Sequence, residues 1–114
     1  MEISTKTEKD ISIISASGRI DTLTYESFLA ALTGLIRAGT RSLVVDLGGV
    51  DYTSSAGLRS ILSAQKDIRR EAGDLRLAAV QPDVLKVLKL SGFTSIFKIY
   101  DTVEAAVASF SPGG

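Results

Sequence analysis

Apolar and polar residues follow two rhythms along this chain, and the rhythms trade places several times. Ile3 to Thr7 and Ile11 to Ser17 are short β-branched runs that predict strands, joined across Glu8-Lys9-Asp10 as an antiparallel hairpin. In the second run Ile11 and Ile13 alternate with Ile14 and Ala16. Both of its faces are therefore largely apolar, which places it inside the sheet. After Gly18-Arg19-Ile20-Asp21 the period changes. Tyr25, Phe28, Leu29, Leu32, Leu35 and Ile36 mark one face of a helix capped by Asp21, Thr22 or Thr24 and stopped at Gly39.

A buried strand is predicted over residues 42–47, through Leu43-Val44-Val45, and then a turn at Gly48-Gly49. Leu58, Ile61, Leu62 and Ile68 give the next helix its apolar face; it opens with Ser54 or Ser55 as cap, runs to about Arg70 and closes at Gly73. Leu75 to Val80 is the following strand. Pro82 opens a third helix on Val84, Leu85, Val87 and Leu88, ended by Gly92. Ile96 to Tyr100 is a last short strand. Asp101 or Thr102 caps a final helix with Val103, Ala106, Val107 and Phe110 inward. Strand alternating with helix predicts an α/β domain over residues 1–110, with a largely parallel sheet of about four or five strands, an antiparallel edge and about four helices. Residues 111–114, Ser-Pro-Gly-Gly, are expected to be a flexible tail.

Composition narrows the chemistry. The 114 residues suit one domain that buries roughly two-thirds of its unfolded surface. Thirteen basic residues balance thirteen acidic ones, so the chain gains little from a phosphate backbone and nucleic acid is not an expected partner. No apolar run approaches the ~18–20 residues that span a bilayer, and the first residues do not resemble a signal peptide. With no cysteine there is no disulfide framework or thiolate metal site, and the expected location is the cytoplasm, away from membranes. With no histidine, a Ser-His-Asp or Cys-His enzyme is excluded.

The stretch with chemistry to offer is Asp46-Leu47-Gly48-Gly49-Val50-Asp51-Tyr52-Thr53-Ser54-Ser55-Ala56-Gly57-Leu58, between the central strand and the central helix. It is not a P-loop, because no Lys-Ser/Thr follows Gly57, and it is not G-x-G-x-x-G. A nucleophile elbow would have glycine where Thr53 stands. What remains is a serine hydroxyl beside free N–H groups at the positive end of a helix. Asp21, Asp46 and Asp51 are expected near one edge of the sheet as caps and turn formers, too sparse for a metal site. Arg59, Lys66 and Arg70 fall along one helix stripe; Arg59, four residues after Ser55, lies within reach of an anion placed there.

This stretch resembles the signature of the STAS domain, as found in bacterial anti-sigma factor antagonists. Gly18-Arg19-Ile20-Asp21 is similar to the family's Gly-x-Leu/Ile-Asp, and Gly92-Phe93 with Phe97-Lys98-Ile99-Tyr100-Asp101 and Glu104-Ala105 to its C-terminal segment. The resemblance implies a small mixed sheet flanked by helices and a protein that acts by binding, not as an enzyme, with no cofactor and no metal. It implies that Ser55 is phosphorylated by an anti-sigma factor kinase of GHKL type, which the unmodified protein sequesters, and that a PP2C-type phosphatase reverses the modification. Ser54 is the fallback acceptor; it replaces an aspartate of some members, and Thr53 replaces a commoner aliphatic. The partner surface so implied comprises Asp21, Asp51, Tyr52, Thr53, Ser54, Ser55, Ala56, Gly57 and Arg59, on a monomer or weak dimer. Two other readings share these residues: a non-phosphorylated scaffold subunit of a transporter or stressosome-type assembly, and a small-ligand or nucleotide sensor.

Overall fold

The computed structural model describes residues 1–110; the tail expected at 111–114 lies outside them. Five strands form one sheet in the order β1 (Glu2–Glu8), β2 (Ile11–Ile20), β3 (Ser42–Thr53), β4 (Asp74–Ala78), β5 (Ile99–Tyr100). β1 runs antiparallel to β2, and every other neighbouring pair is parallel. The helices are α1 (Tyr25–Arg37), α2 (Ser55–Arg70), α3 (Pro82–Leu90) and α4 (Val103–Ala108). The predicted α/β architecture is the one observed.

Side-chain alternation divides the core in two. Leu43, Val45 and Leu47 of β3 point to the face covered by Phe28 and Leu32 of α1, Leu58, Ile61 and Ile68 of α2, and Val84 and Leu88 of α3. Val44 points the other way and packs with Ile11, Ile13 and Ala78 under Ala106 and Val107 of α4. No helix among the described residues is long and apolar enough to cross a membrane.

The structure departs from the periodicity in three places. β3 does not turn at Gly48-Gly49; it continues to Thr53, and β2 continues beside it to Ile20. The glycines serve close approach instead. A β carbon on Gly49 would stand 2.8 Å from Cβ of Ser17 and 3.1 Å from the Ala16 carbonyl oxygen. The register between the strands shifts between Ser15 and Ser17 and again between Gly18 and Arg19, so bulges absorb the irregularity and pairing survives. The last strand is shorter than expected. A 3₁₀ turn at Phe93–Ser95 leads to Phe97, whose ring turns into the core at 5.9 Å from that of Phe93, leaving only Ile99–Tyr100 to pair with β4. β4 in turn ends at Ala78, because Ala79 takes a positive φ of 58°.

Because β2 and β3 run on together, their ends form a platform for α2. The Ser54 amide donates to the Ile20 carbonyl at 2.8 Å, and α2 begins at the next residue. Gly57 lies directly on the platform. A β carbon there would collide with Thr53 Oγ1, with Ile20 Cγ2 at 2.7 Å and with the Ile20 carbonyl oxygen at 3.0 Å. Gly34, in the middle of α1, has nothing within 4 Å of the same position. The two glycines should therefore respond oppositely to alanine. Gly34→Ala is expected to stabilise by about 0.5–1 kcal/mol through helix propensity, and Gly57→Ala to destabilise by about 1–3 kcal/mol through overpacking. Urea titrations of both variants check this; a stabilising Gly57→Ala would show that α2 is free to lift off the strand ends.

Candidate functional site

At the start of α2 three adjacent hydroxyls have three different fates. Thr53 is 5% exposed, and its Oγ1 donates to the Ser54 carbonyl at 3.2 Å. Ser54 is extended (φ −87°, ψ 173°) and caps the helix, its Oγ accepting from the Gly57 amide at 3.2 Å. Ser55 is the first helical residue. It is exposed, and its hydroxyl has no hydrogen-bond partner among the described residues. The first turn of α2 contains no acid, so the positive end of its dipole is uncompensated beside Ser55.

The β2–α1 loop forms one rim of the site. Asp21 Oδ1 accepts from the amides of Leu23 (3.0 Å) and Thr24 (3.2 Å). Thr24 Oγ1 accepts from the Asp21 amide at 2.9 Å and donates to the Arg19 carbonyl at 2.7 Å. Arg19 stands opposite Tyr52 in the register, with its guanidinium 4.2 Å from the centre of the Tyr52 ring and its Nε 3.7 Å from Asp21 Oδ2. The Leu23 amide is the first cause holding the Asp21 carboxyl below its ordinary value of 3.8, with bonds from Thr24 and the Arg19 charge adding to it against partial desolvation. This tightly bonded loop carries Leu23 with 89% of its surface exposed.

On the other side, Tyr25 and Leu29 of α1 and Ala56, Arg59 and Ser60 of α2 line a shallow cavity of about 160 Å³. That falls below the ~300 Å³ at which small-molecule pockets begin. A larger cavity, about 310 Å³, lies at the opposite end of the sheet, beside Ile11 and Ser42, where β2 and β3 start.

Of the residues expected here, Asp21, Asp51, Tyr52, Ser54, Ser55, Ala56 and Arg59 present surface. Thr53 and Gly57 are buried in the chain, so they shape the site without offering a side chain to a partner. The three aspartates do not gather. Asp46 stands mid-strand, its carboxylate taken up by Ser15 Oγ (3.0 Å) and the Gly48 amide (2.9 Å), because β3 runs on past it. Arg19 and Leu23 were not singled out in the sequence. Leu23 carried a signal: a bare leucine off the helical period, between residues that read as caps.

The depressed Asp21 pKa sets a sign for pH dependence. A group whose folded value lies below its unfolded value contributes stability that is complete above the unfolded value and is lost as pH falls through the folded one. Asp21→Asn should therefore melt lower than wild type at pH 7, with the gap closing as pH falls below about 4. Thermal melts across that range check it; a gap that stays constant would mean the charge on Asp21 does no work in the loop.

Comparison with known proteins gives one consistent result. The family model described as the STAS domain matches residues 2–106. BtrV of Bordetella bronchiseptica, named as a candidate anti-sigma factor antagonist, is 40% identical over 98 residues, covering 86% of this chain and 84% of that protein. Two solved structures share the fold. One, from Thermotoga maritima, has a TM-score of 0.89 at 23% identity over 94% of this chain and 92% of that one. The other is the Bacillus cell fate determinant SpoIIAA in its phosphorylated form, with a TM-score of 0.76 at 19% identity over 96% of this chain and 100% of that one. The chain belongs to the STAS domain family, among the anti-sigma factor antagonists.

Proposed function

We propose that this protein is a binding module switched by phosphorylation of Ser55: unmodified, it sequesters an anti-sigma factor kinase of GHKL type and frees a sigma factor for transcription. Phosphorylation by that kinase ends the capture, and a PP2C-type phosphatase restores it. The module works in the cytoplasm and catalyses nothing itself. One observation carries the assignment: of three neighbouring hydroxyls only Ser55 is exposed and, among the described residues, without a hydrogen-bond partner, while Ser54 caps the helix and Thr53 is buried.

The physics of the switch follows from the position. A phosphate adds about −1.5 to −2 charges and three strong acceptors. Beside the uncompensated N-terminus of α2 such a charge is favoured, so the fold should tolerate it. Arg59, one turn along, makes no ion pair among the described residues and has the favourable orientation, cation C-terminal to anion. The penalty falls on the complex, where the partner would have to desolvate the phosphate in its interface. The relation to BtrV supports this reading, as does SpoIIAA, a protein of the same fold solved with its phosphate.

Incubation with the cognate kinase and ATP should modify Ser55, as read by mass spectrometry of the peptide spanning the turn. Ser55→Asp should weaken capture of that kinase at least tenfold while leaving the circular dichroism spectrum and the melting temperature nearly unchanged. Modification of Ser54 alone, or a Ser55→Asp chain that unfolds, would overturn the surface switch. Co-purification of an ABC ATPase in place of a kinase would instead favour the scaffold subunit.

Leu23 should contribute to the same surface. An apolar side chain held in water by a rigid loop loses little entropy on docking, and it recovers its hydration cost only in a partner's pocket. Leu23→Ser is expected to weaken kinase capture by about 1.5–3 kcal/mol without lowering the melting temperature. Equal affinity by calorimetry would exclude Leu23 from the interface.

A further inference from the structure

β1 ends the sheet, and among the described residues its outer edge pairs with nothing. The strand is seven residues long, Glu2-Ile3-Ser4-Thr5-Lys6-Thr7-Glu8, and all but Ile3 are exposed. β5, at the other edge, has two residues and offers almost no template. One edge of the molecule is therefore long enough to accept another strand.

The hairpin determines which backbone groups face outward. Lys9 and Asp10 both have positive φ, 53° and 66°, and Glu8 stands opposite Ile11, as in a two-residue turn of type I′. The pair that closes such a turn exchanges both of its backbone hydrogen bonds, and the pattern then alternates. Glu8, Lys6, Ser4 and Glu2 thus direct their N–H and C=O groups at β2, while Ile3, Thr5 and Thr7 direct theirs outward. An antiparallel copy of β1 has to match outward residues with outward residues.

Charge chooses among the registers that remain. With Thr5 opposite Thr5, Glu2 faces Glu8 at both ends. With Lys6 opposite Lys6, two cations meet at the centre. With Thr7 opposite Thr7, Lys6 meets Glu8, but little of either strand overlaps. With Ser4 opposite Ser4, Glu2 of each strand faces Lys6 of the other, and Ile3 faces Thr5. Those two ion pairs fall at non-hydrogen-bonded positions, where opposing side chains come closest. Lysine on an edge strand ordinarily discourages pairing; here Lys6 opposes the register centred on itself and supports the long one centred on Ser4, while the glutamates oppose the one centred on Thr5.

We propose that β1 pairs with β1 of a second copy of this chain, antiparallel about Ser4, joining two five-stranded sheets into one through a two-fold axis. The contact is small beside the roughly 1,600 Å² of a standard interface, so the dimer is weak and concentration-dependent. The antiparallel arrangement sends the two Ser55 sites to opposite ends of the joined sheet and leaves both open.

Sedimentation of the full chain at low salt, from about 10 µM to about 1 mM, should show the average mass rising toward two chains. Glu2→Lys and Lys6→Glu should each weaken association at least tenfold, since each change occurs twice in a two-fold interface. An equimolar mixture of the two variants should associate again, because the like charges of one then face the opposite charges of the other. Thr5→Pro removes an outward N–H without touching the β2 ladder, so it should abolish association while the melting temperature holds. A wild type that stays monomeric throughout, association that survives these substitutions, or a mixture that fails to recover would overturn the proposal.

Discussion

Gly57 lies so close to Thr53 and Ile20 that no β carbon fits between helix and strands, and the position of the whole second helix depends on this contact. The strand ends are level because β2 and β3 pair to their last residues, Ile20 opposite Thr53. The Ser54 amide then bonds to Ile20, the Ser54 hydroxyl to Gly57, and the chain has no freedom left before its first helical residue. Ser55 is exposed as a consequence. The Ser54 hydroxyl is turned to the Gly57 amide and Gly57 is pressed on the strand ends, which leaves the Ser55 side chain facing water.

The far end of α2 is fixed independently. Gln65 is buried with both ends of its amide engaged: its amide nitrogen donates to Asp74 Oδ1 at 3.2 Å, and its oxygen accepts from the Leu75 amide at 3.1 Å. Asp74 in turn holds Arg76 at 3.0 Å, and the Arg76 guanidinium lies over the Phe110 ring and bonds to the Ser109 carbonyl at 2.7 Å. This chain of contacts crosses the sheet from α2 to the segment following α4. Leu58 and Ile61 between the two anchors, and Ile68 one turn past the second, are buried, each contributing on the order of 1.5–3 kcal/mol. A helix held in this way resists tilting in response to one surface charge, which favours a switch made of charge and shape over one made of movement.

The sequence made the order of elements legible because each helix carried an apolar stripe and each central strand an apolar run. The α2 start was legible too, since serine caps and helix-opening hydroxyls follow from local backbone needs. What escaped depended on pairs of segments. Gly48-Gly49 looks like a turn when β3 is read alone; only the presence of Ser17 beside it turns the glycines into a close approach. Asp46 looks like a strand end for the same reason. Ile96 to Tyr100 has strand composition, but Phe97 finds a better place in the core beside Phe93 than in a ladder with the short β4. Leu23 was missed because an exposed leucine is unremarkable until the hydrogen bonds that immobilise its loop are visible.

The same contrast separates the two acids nearest the site. Asp21 and Asp51 are both exposed enough to meet a partner, yet among the described residues only Asp21 has backbone donors holding its carboxylate in place. An acid already engaged presents a fixed shape, with Arg19 and Tyr52 stacked behind it. A free one presents charge alone, screened by salt within about 10 Å. The side of the site formed by β2 and its loop is therefore pre-shaped, while the side formed by Arg59 is adjustable. A partner that docks against the rigid side and reads the charge on Ser55 from the other gains specificity from the first and reversibility from the second. That division suits the switch proposed at Ser55, in which the added charge changes the surface and not the fold.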